Sequence, residues 1–150
     1  MQKLNLPAYD FLIRRDMQSS EIFDAVRKKY VALTPEEWVR QHTCRYLSEE
    51  LGYPAGLMAL EYGLQYNEQK KRCDIVLFSR ERKPLMIVEC KAPSVSISEK
   101  TFEQIARYNF TLRVPYLLVT NGMNNYCCKI SFETQSFQFL EKVPLFEEMI

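Results

Sequence analysis

Two strand-like runs joined by a short polar turn constrain this chain more than any other segment. Cys73 to Phe78 and Pro84 to Lys91 are apolar and rich in β-branched residues, and Ser79 to Lys83 between them is turn-like. They read as the strands of one antiparallel hairpin. A turn centred between Glu81 and Arg82 sets Asp74 directly opposite Glu89, with Cys73 opposite Cys90 on the other face. Opposed residues on one face stand about 4.5–5.5 Å apart at Cβ. Lys91, two residues past Glu89, shares the carboxylate face by strand alternation. Two carboxylates so placed repel each other. Lys91 offsets part of that repulsion, and a hard divalent cation offsets more, because Mg²⁺ takes carboxylate oxygens together with waters. The plainer alternative is a Glu89–Lys91 or Asp74–Lys91 ion pair at a sheet end.

The flanking sequence supplies helices. Thr34-Pro35-Glu36-Glu37 is a helix start, with Thr34 as N-cap, Pro35 at the first helical position and Glu37 three residues on, as in a capping box. This helix runs to about Leu51 and stops at Gly52. Val39, Thr43, Tyr46, Leu47 and Glu50 follow its helical stripe, and Glu36 extends that stripe backwards. Leu57 to Gln65 reads as a strand. Ser98 to Arg113 reads as a helix with Phe102, Ile105, Ala106 and Leu112 on one face, and Tyr116 to Thr120 as a strand closed by Asn121-Gly122. Tyr126 to Ile130 and Phe137 to Leu140 read as edge strands, and the pieces around Arg27-Lys28-Lys29 as a small hairpin. The expected fold is α/β, a central mixed sheet flanked by helices in the order αβββαβ. One domain is expected: an extension over 1–33, a core over 34–130, and a strand and tail over 131–150.

Composition excludes several functions. Twenty Lys and Arg against nineteen Asp and Glu leave a formal charge of +1, unlike a strong, self-sufficient nucleic-acid binder. The short basic runs, Lys70-Lys71-Arg72 among them, read as solvated loops or strand ends. None of the four glycines sits in a phosphate-binding G-x-x-x-x-G-K-[ST] loop, so no NTPase motor is expected. Five cysteines without a CxxC pair, and a single histidine, His42, argue against zinc and for free thiols in a reducing cytoplasm. No apolar run is long enough to span a membrane, and no secretory leader is expected.

Asp74 followed by Glu89-Cys90-Lys91 resembles the D…(D/E)-x-K signature of the PD-(D/E)XK nuclease superfamily. Gln104-Ile105-Ala106-Arg107-Tyr108 looks like the Q-x-x-x-Y motif of the N-terminal nuclease domain of type I restriction enzyme R subunits. Val88 to Pro93 and Thr120-Asn121-Gly122 are similar to the same family, and the resemblance covers roughly residues 22–130. It implies a restriction-endonuclease-like core and Mg²⁺-dependent hydrolysis of DNA phosphodiester bonds, with Mn²⁺ as a substitute. Asp74, Glu89, the Cys90 backbone carbonyl and Glu36, or Glu37 in its place, would hold the metal. Lys91 would act on the attacking water or the phosphate. Gln104 and Tyr108 would contact DNA or order the catalytic residues. The implied partners are DNA, a separate motor, specificity or methyltransferase subunit, and a second copy forming a homodimer. The alternative is a catalytically silent binding module of the same fold, docked on a DNA-processing complex. A third expectation is a nuclease of the same site acting on RNA or branched DNA.

Overall fold

The computed structural model describes residues 1–149. The extension folds as a three-stranded antiparallel sheet of β1 (Ile13–Arg15), β2 (Ser20–Asp24) and β3 (Lys29–Ala32), one strand more than the expected hairpin. Helix α1 (Pro35–Glu49) follows, then a 3₁₀ turn at Ala55–Leu57 and strands β4 (Met58–Tyr66), β5 (Gln69–Phe78) and β6 (Pro84–Cys90). Helix α2 (Glu99–Phe110) leads to β7 (Tyr116–Thr120), β8 (Asn125–Ser131), β9 (Ser136–Leu140) and the short α3 (Phe146–Met149). Strands β4 to β9 form one sheet in chain order. Every pairing in it is antiparallel except β6–β7, which α2 bridges as a parallel crossover requires. The run α1-β4-β5-β6-α2-β7 is the expected αβββαβ core.

The apolar hairpin strands are covered on both faces, which is why they lack polar alternation. Ile75, Leu77, Met86, Val88 and Cys90 pack with Val39, Cys44 and Leu47 of α1. Val76 and Ile87 point the other way and pack with Phe102 and Ala106 of α2. The Thr34 hydroxyl accepts the Glu37 amide at 3.1 Å and starts α1.

Two expectations need correction, the buried stripe of α1 and the edge position of β8. Helix α1 shows no single buried stripe: Arg40, Gln41 and His42 are buried along with Val39, Thr43, Cys44 and Leu47. The N-terminal segment covers its outer face, where Phe11 packs on Trp38 and His42. Of the loop or strand end expected for Lys70-Lys71-Arg72, the structure shows the strand end: the run opens β5, because β4 and β5 make a long hairpin turned at Asn67, in the left-handed region at φ 55°. Of the two strands expected at an edge, β8 is interior to the sheet and β9 is an edge, with β4 at the opposite one. The tail folds back as α3, with Phe146 buried in the α1-side core, while Ile150 lies outside the described residues. Among the described residues, no helix is long and apolar enough to cross a membrane.

Candidate active site

The hairpin register is the expected one over its core: Ile75 faces Val88, Val76 faces Ile87 and Leu77 faces Met86. Only the tip is offset, with Phe78 opposite Pro84 after a bulge, and Arg82 turning through φ 63°. At the other end the ladder stops one pair short of Asp74 and Glu89. The β4–β5 ladder also lapses there, since Leu60–Ile75 is followed by Tyr62–Cys73 and the intervening Glu61 has φ 50°. Strand β5 therefore breaks its pairing on both sides at Asp74.

That break has two consequences. In place of a ladder bond, the Asp74 carboxylate Oδ2 accepts the Cys90 amide at 2.7 Å. The side-chain alternation also slips by one residue. Cys73 lies in the α2-side cluster and Cys90 in the α1-side cluster, so the two do not share a face as expected. The slip carries Lys71 to the face of Glu89, and its ammonium contacts Glu89 Oε1 as an ion pair. Lys71, not Lys91, is thus the cation at Glu89. The Lys71 ammonium is the one partner of this buried oxygen among the described residues.

Burial pushes the Asp74 carboxyl up to about 6; the Cys90 amide works against that rise, and the charges of Glu89, Glu36 and Glu61 add to it. The Cys90 thiol is buried among α1 side chains and its pKa is raised well above the usual thiol range by desolvation. Its amide points toward Asp74. The carbonyl of a strand residue points to the same side as its amide, so the Cys90 carbonyl flanks Asp74 as well.

The two acids opening α1 are distinguished by their contacts. Glu37 binds Arg40 through both oxygens, accepts the Gln41 carboxamide at 3.0 Å and lies 3.7 Å from Arg27. Glu36 is exposed, and its charge reaches Asp74. Arg40 is itself buried against Asp24 at 2.7 Å, which ties β2 to α1.

Lys91 follows β6 directly, half-buried, with its amide on the Thr120 carbonyl at 2.8 Å. Its ammonium makes no ion pair among the described residues. The Thr120-Asn121-Gly122 turn braces the loop that follows. The buried Asn121 carboxamide donates to the Val95 carbonyl at 2.8 Å and accepts the Met123 and Asn124 amides. Gly122 has φ 81°, and a Cβ there would stand 2.9 Å from Leu4. Tyr108 of α2 donates to the Lys70 carbonyl at 2.9 Å and lies under the Lys71 ammonium, 5.2 Å from its ring centroid. Gln104 is exposed one turn earlier on α2.

Among the described residues, no group of three or more His, Cys, Asp or Glu side chains converges tightly enough to hold a metal ion. The donor set suits Mg²⁺ nonetheless, because that ion is commonly held by one or two carboxylates and keeps several waters. The buried Glu89 carboxylate, paired only with Lys71 among the described residues, and the crowded Asp74 are the groups a divalent cation would bind. Lys71, Asn121 and Glu61 escaped the sequence reading. The slip in β5 places the first, and only the T-N-G triplet pointed toward the second.

No curated protein matches the sequence significantly. Among solved structures, the chain is similar to a fragment assigned as the HsdR subunit of a type I restriction enzyme from Vibrio vulnificus YJ016, with 21% identity and a TM-score of 0.49. That match covers 73% of this chain and 24% of the other, so this chain spans about a quarter of that fragment's length. The family model described as type I restriction enzyme R protein N terminus (HSDR_N) matches residues 35–144. The chain belongs to the family of type I restriction enzyme R protein N-terminal domains.

Proposed function

We propose that this chain is a Mg²⁺-dependent endonuclease domain that hydrolyses DNA phosphodiester bonds in the cytoplasm. The observation that carries the reading is the end of the β5–β6 hairpin. There the Asp74 carboxylate accepts the amide of Cys90, the residue next to Glu89, at 2.7 Å, and Lys91 follows the strand directly. When bound, the divalent cation lowers the pKa of a water and offsets charge on the phosphate. Asp74, Glu89 and the Cys90 carbonyl hold it, and Glu36 completes the set directly or through water. Lys91 orients the attacking water or stabilises charge gathering on the phosphate. Gln104 and Tyr108 order these groups or touch the DNA backbone. The partners this reading implies are DNA and a motor, specificity or methyltransferase subunit, and a homodimer with two facing sites would cut both strands.

One observation favours a silent binding module: Lys71 already neutralises Glu89 without a metal. Plasmid cleavage with Mg²⁺ or Mn²⁺, set beside Asp74→Ala and Lys91→Ala, separates the two readings. Metal-dependent nicking by the intact chain that both variants lose supports the nuclease. An intact chain and variants that are equally active or equally inert would sink catalysis at this site.

A further inference from the structure

The geometry points to Lys71 as a built-in counter-ion for Glu89, one that occupies the carboxylate when no divalent cation is present and competes with that cation for it. This rests on the metal-site reading above and adds a residue to it. Three consecutive basic residues on β5 have three separate attachments. Lys70 lends its carbonyl to the Tyr108 hydroxyl at 2.9 Å. Arg72 reaches the other way to Glu61 at 2.9 Å on the exposed side of the hairpin. Lys71 alone turns inward to Glu89, with side chains only 17% and 12% exposed.

The arrangement has the features of a positioned charge. Glu89 sits at the end of an apolar strand, where an unpaired carboxylate is costly. Its neighbour Asp74 is a second acid, so a cation at Glu89 offsets the repulsion between the two. The nearer candidate in sequence, Lys91, makes no ion pair among the described residues. The pairing slip at Asp74 delivers Lys71 instead. The Lys71 ammonium and a divalent cation would take the same buried Glu89 oxygen, and a hard divalent cation carries the greater charge to it. The Tyr108 ring gives the ammonium a second favourable neighbour that does not depend on Glu89. Tyr108 thereby acts on the carboxylate through Lys71 and is a positioning residue, as is Lys71 itself.

The test uses the full chain and Mn²⁺ as the probe, with two readouts that need no cleavage. Calorimetry gives the Mn²⁺ dissociation constant, and thermal unfolding in EDTA gives the stability of the metal-free form. Lys71→Met should bind Mn²⁺ roughly five- to tenfold more tightly, since a competing cation worth on the order of 1 kcal/mol is gone. Its melting temperature in EDTA should fall, and saturating Mn²⁺ should restore it. Lys71→Arg should behave as the intact chain, and Glu89→Gln should make Lys71→Met silent in EDTA. If Lys71→Met does not fold, Tyr108→Leu tests the same seat and should tighten Mn²⁺ binding by a smaller factor. A Mn²⁺ affinity lost in Asp74→Ala but unchanged or weakened in Lys71→Met and Tyr108→Leu overturns the role of Lys71 and leaves the nuclease reading standing. Binding that appears only in Lys71→Met upholds the competition and defeats the nuclease reading. Binding in neither protein overturns both.

Discussion

Asp74 and Cys90 are joined by a side chain where two strands would ordinarily be joined by backbone: the carboxylate takes the amide that the β5–β6 ladder leaves unpaired. This bond orients one oxygen of Asp74 and leaves the other available. It also opposes, without cancelling, the rise in pKa that burial and three neighbouring acids impose.

The first prediction follows from that rise. A carboxyl at about 6 in the folded chain and near 3.8 unfolded binds its proton more tightly when folded. Stability is therefore highest in this respect below the unfolded value and declines as pH rises through about 6. Asp74→Asn keeps an acceptor for the Cys90 amide and removes the charge. In EDTA it should be more stable than the intact chain by about 1–2 kcal/mol at pH above about 7, after allowance for partial solvent screening. The gap should close toward about pH 4–5. Thermal melts of both proteins across this range check it, and a gap independent of pH would refute the assignment.

Lys91 and Lys71 should separate cleanly in a second experiment. Lys91 carries no ion pair among the described residues, so Lys91→Met should leave the EDTA melting temperature and the Mn²⁺ affinity nearly as they are. Cleavage should fall by about 10²–10³-fold, the usual loss when one transition-state charge partner is removed. Comparable losses of stability and cleavage would instead make Lys91 a structural residue.

The two acids of α1 give a third prediction. Glu36→Gln removes an exposed charge that Asp74 senses, and should weaken Mn²⁺ binding with little change in melting temperature. Glu37→Gln disturbs the contacts to Arg40, Gln41 and Arg27, and should lower stability by about 1–3 kcal/mol while sparing metal affinity. Calorimetry and urea unfolding on the same two variants distinguish them, and an exchange of the two phenotypes would move the helix acid to Glu37.

How far the sequence reaches is visible in the hairpin. Apolar runs, a polar turn and a fixed period placed β5 and β6 in their true register, so the approach of Asp74 to Glu89 could be anticipated. The cap at Thr34 was equally legible, because its chemistry is local. The partner of Glu89 was not legible. Period-two alternation assigns Lys91 to the carboxylate face, and a single pairing defect at Asp74 delivers Lys71 there. Such a defect arises from competition between a side chain and the ladder for one amide, and residue spacing carries no record of it. The buried Arg40 was hidden for another reason. A charged residue on a helix reads as solvent-facing unless the segments that cover it are known, and β2 comes from outside the helix altogether.

The last prediction concerns that arginine. Asp24 and Arg40 are 1% and 2% exposed and 2.7 Å apart, and Glu37 holds the same guanidinium. Burial pulls the Asp24 carboxyl upward, but hydrogen bonds from the Arg27 side chain and amide, with the charge of Arg40, hold it below the usual range. A depressed carboxyl contributes stability above its unfolded pKa near 3.8 and loses it as pH falls through the lower folded value. Removing one partner of such a network strands the other charge, which typically costs about 3–5 kcal/mol. Arg40→Met should therefore be strongly destabilised at neutral pH, with Asp24→Asn in the same chain recovering part of the loss. Because the lost pairing with Asp24 matters only while Asp24 is ionised, the penalty should shrink as the pH is lowered below about 4. Urea unfolding of the intact chain, Arg40→Met and the double variant at neutral and acid pH measures all three terms. A penalty that stays constant with pH would mean Arg40 stabilises the fold by packing alone. The network would then be no electrostatic clamp between β2 and α1.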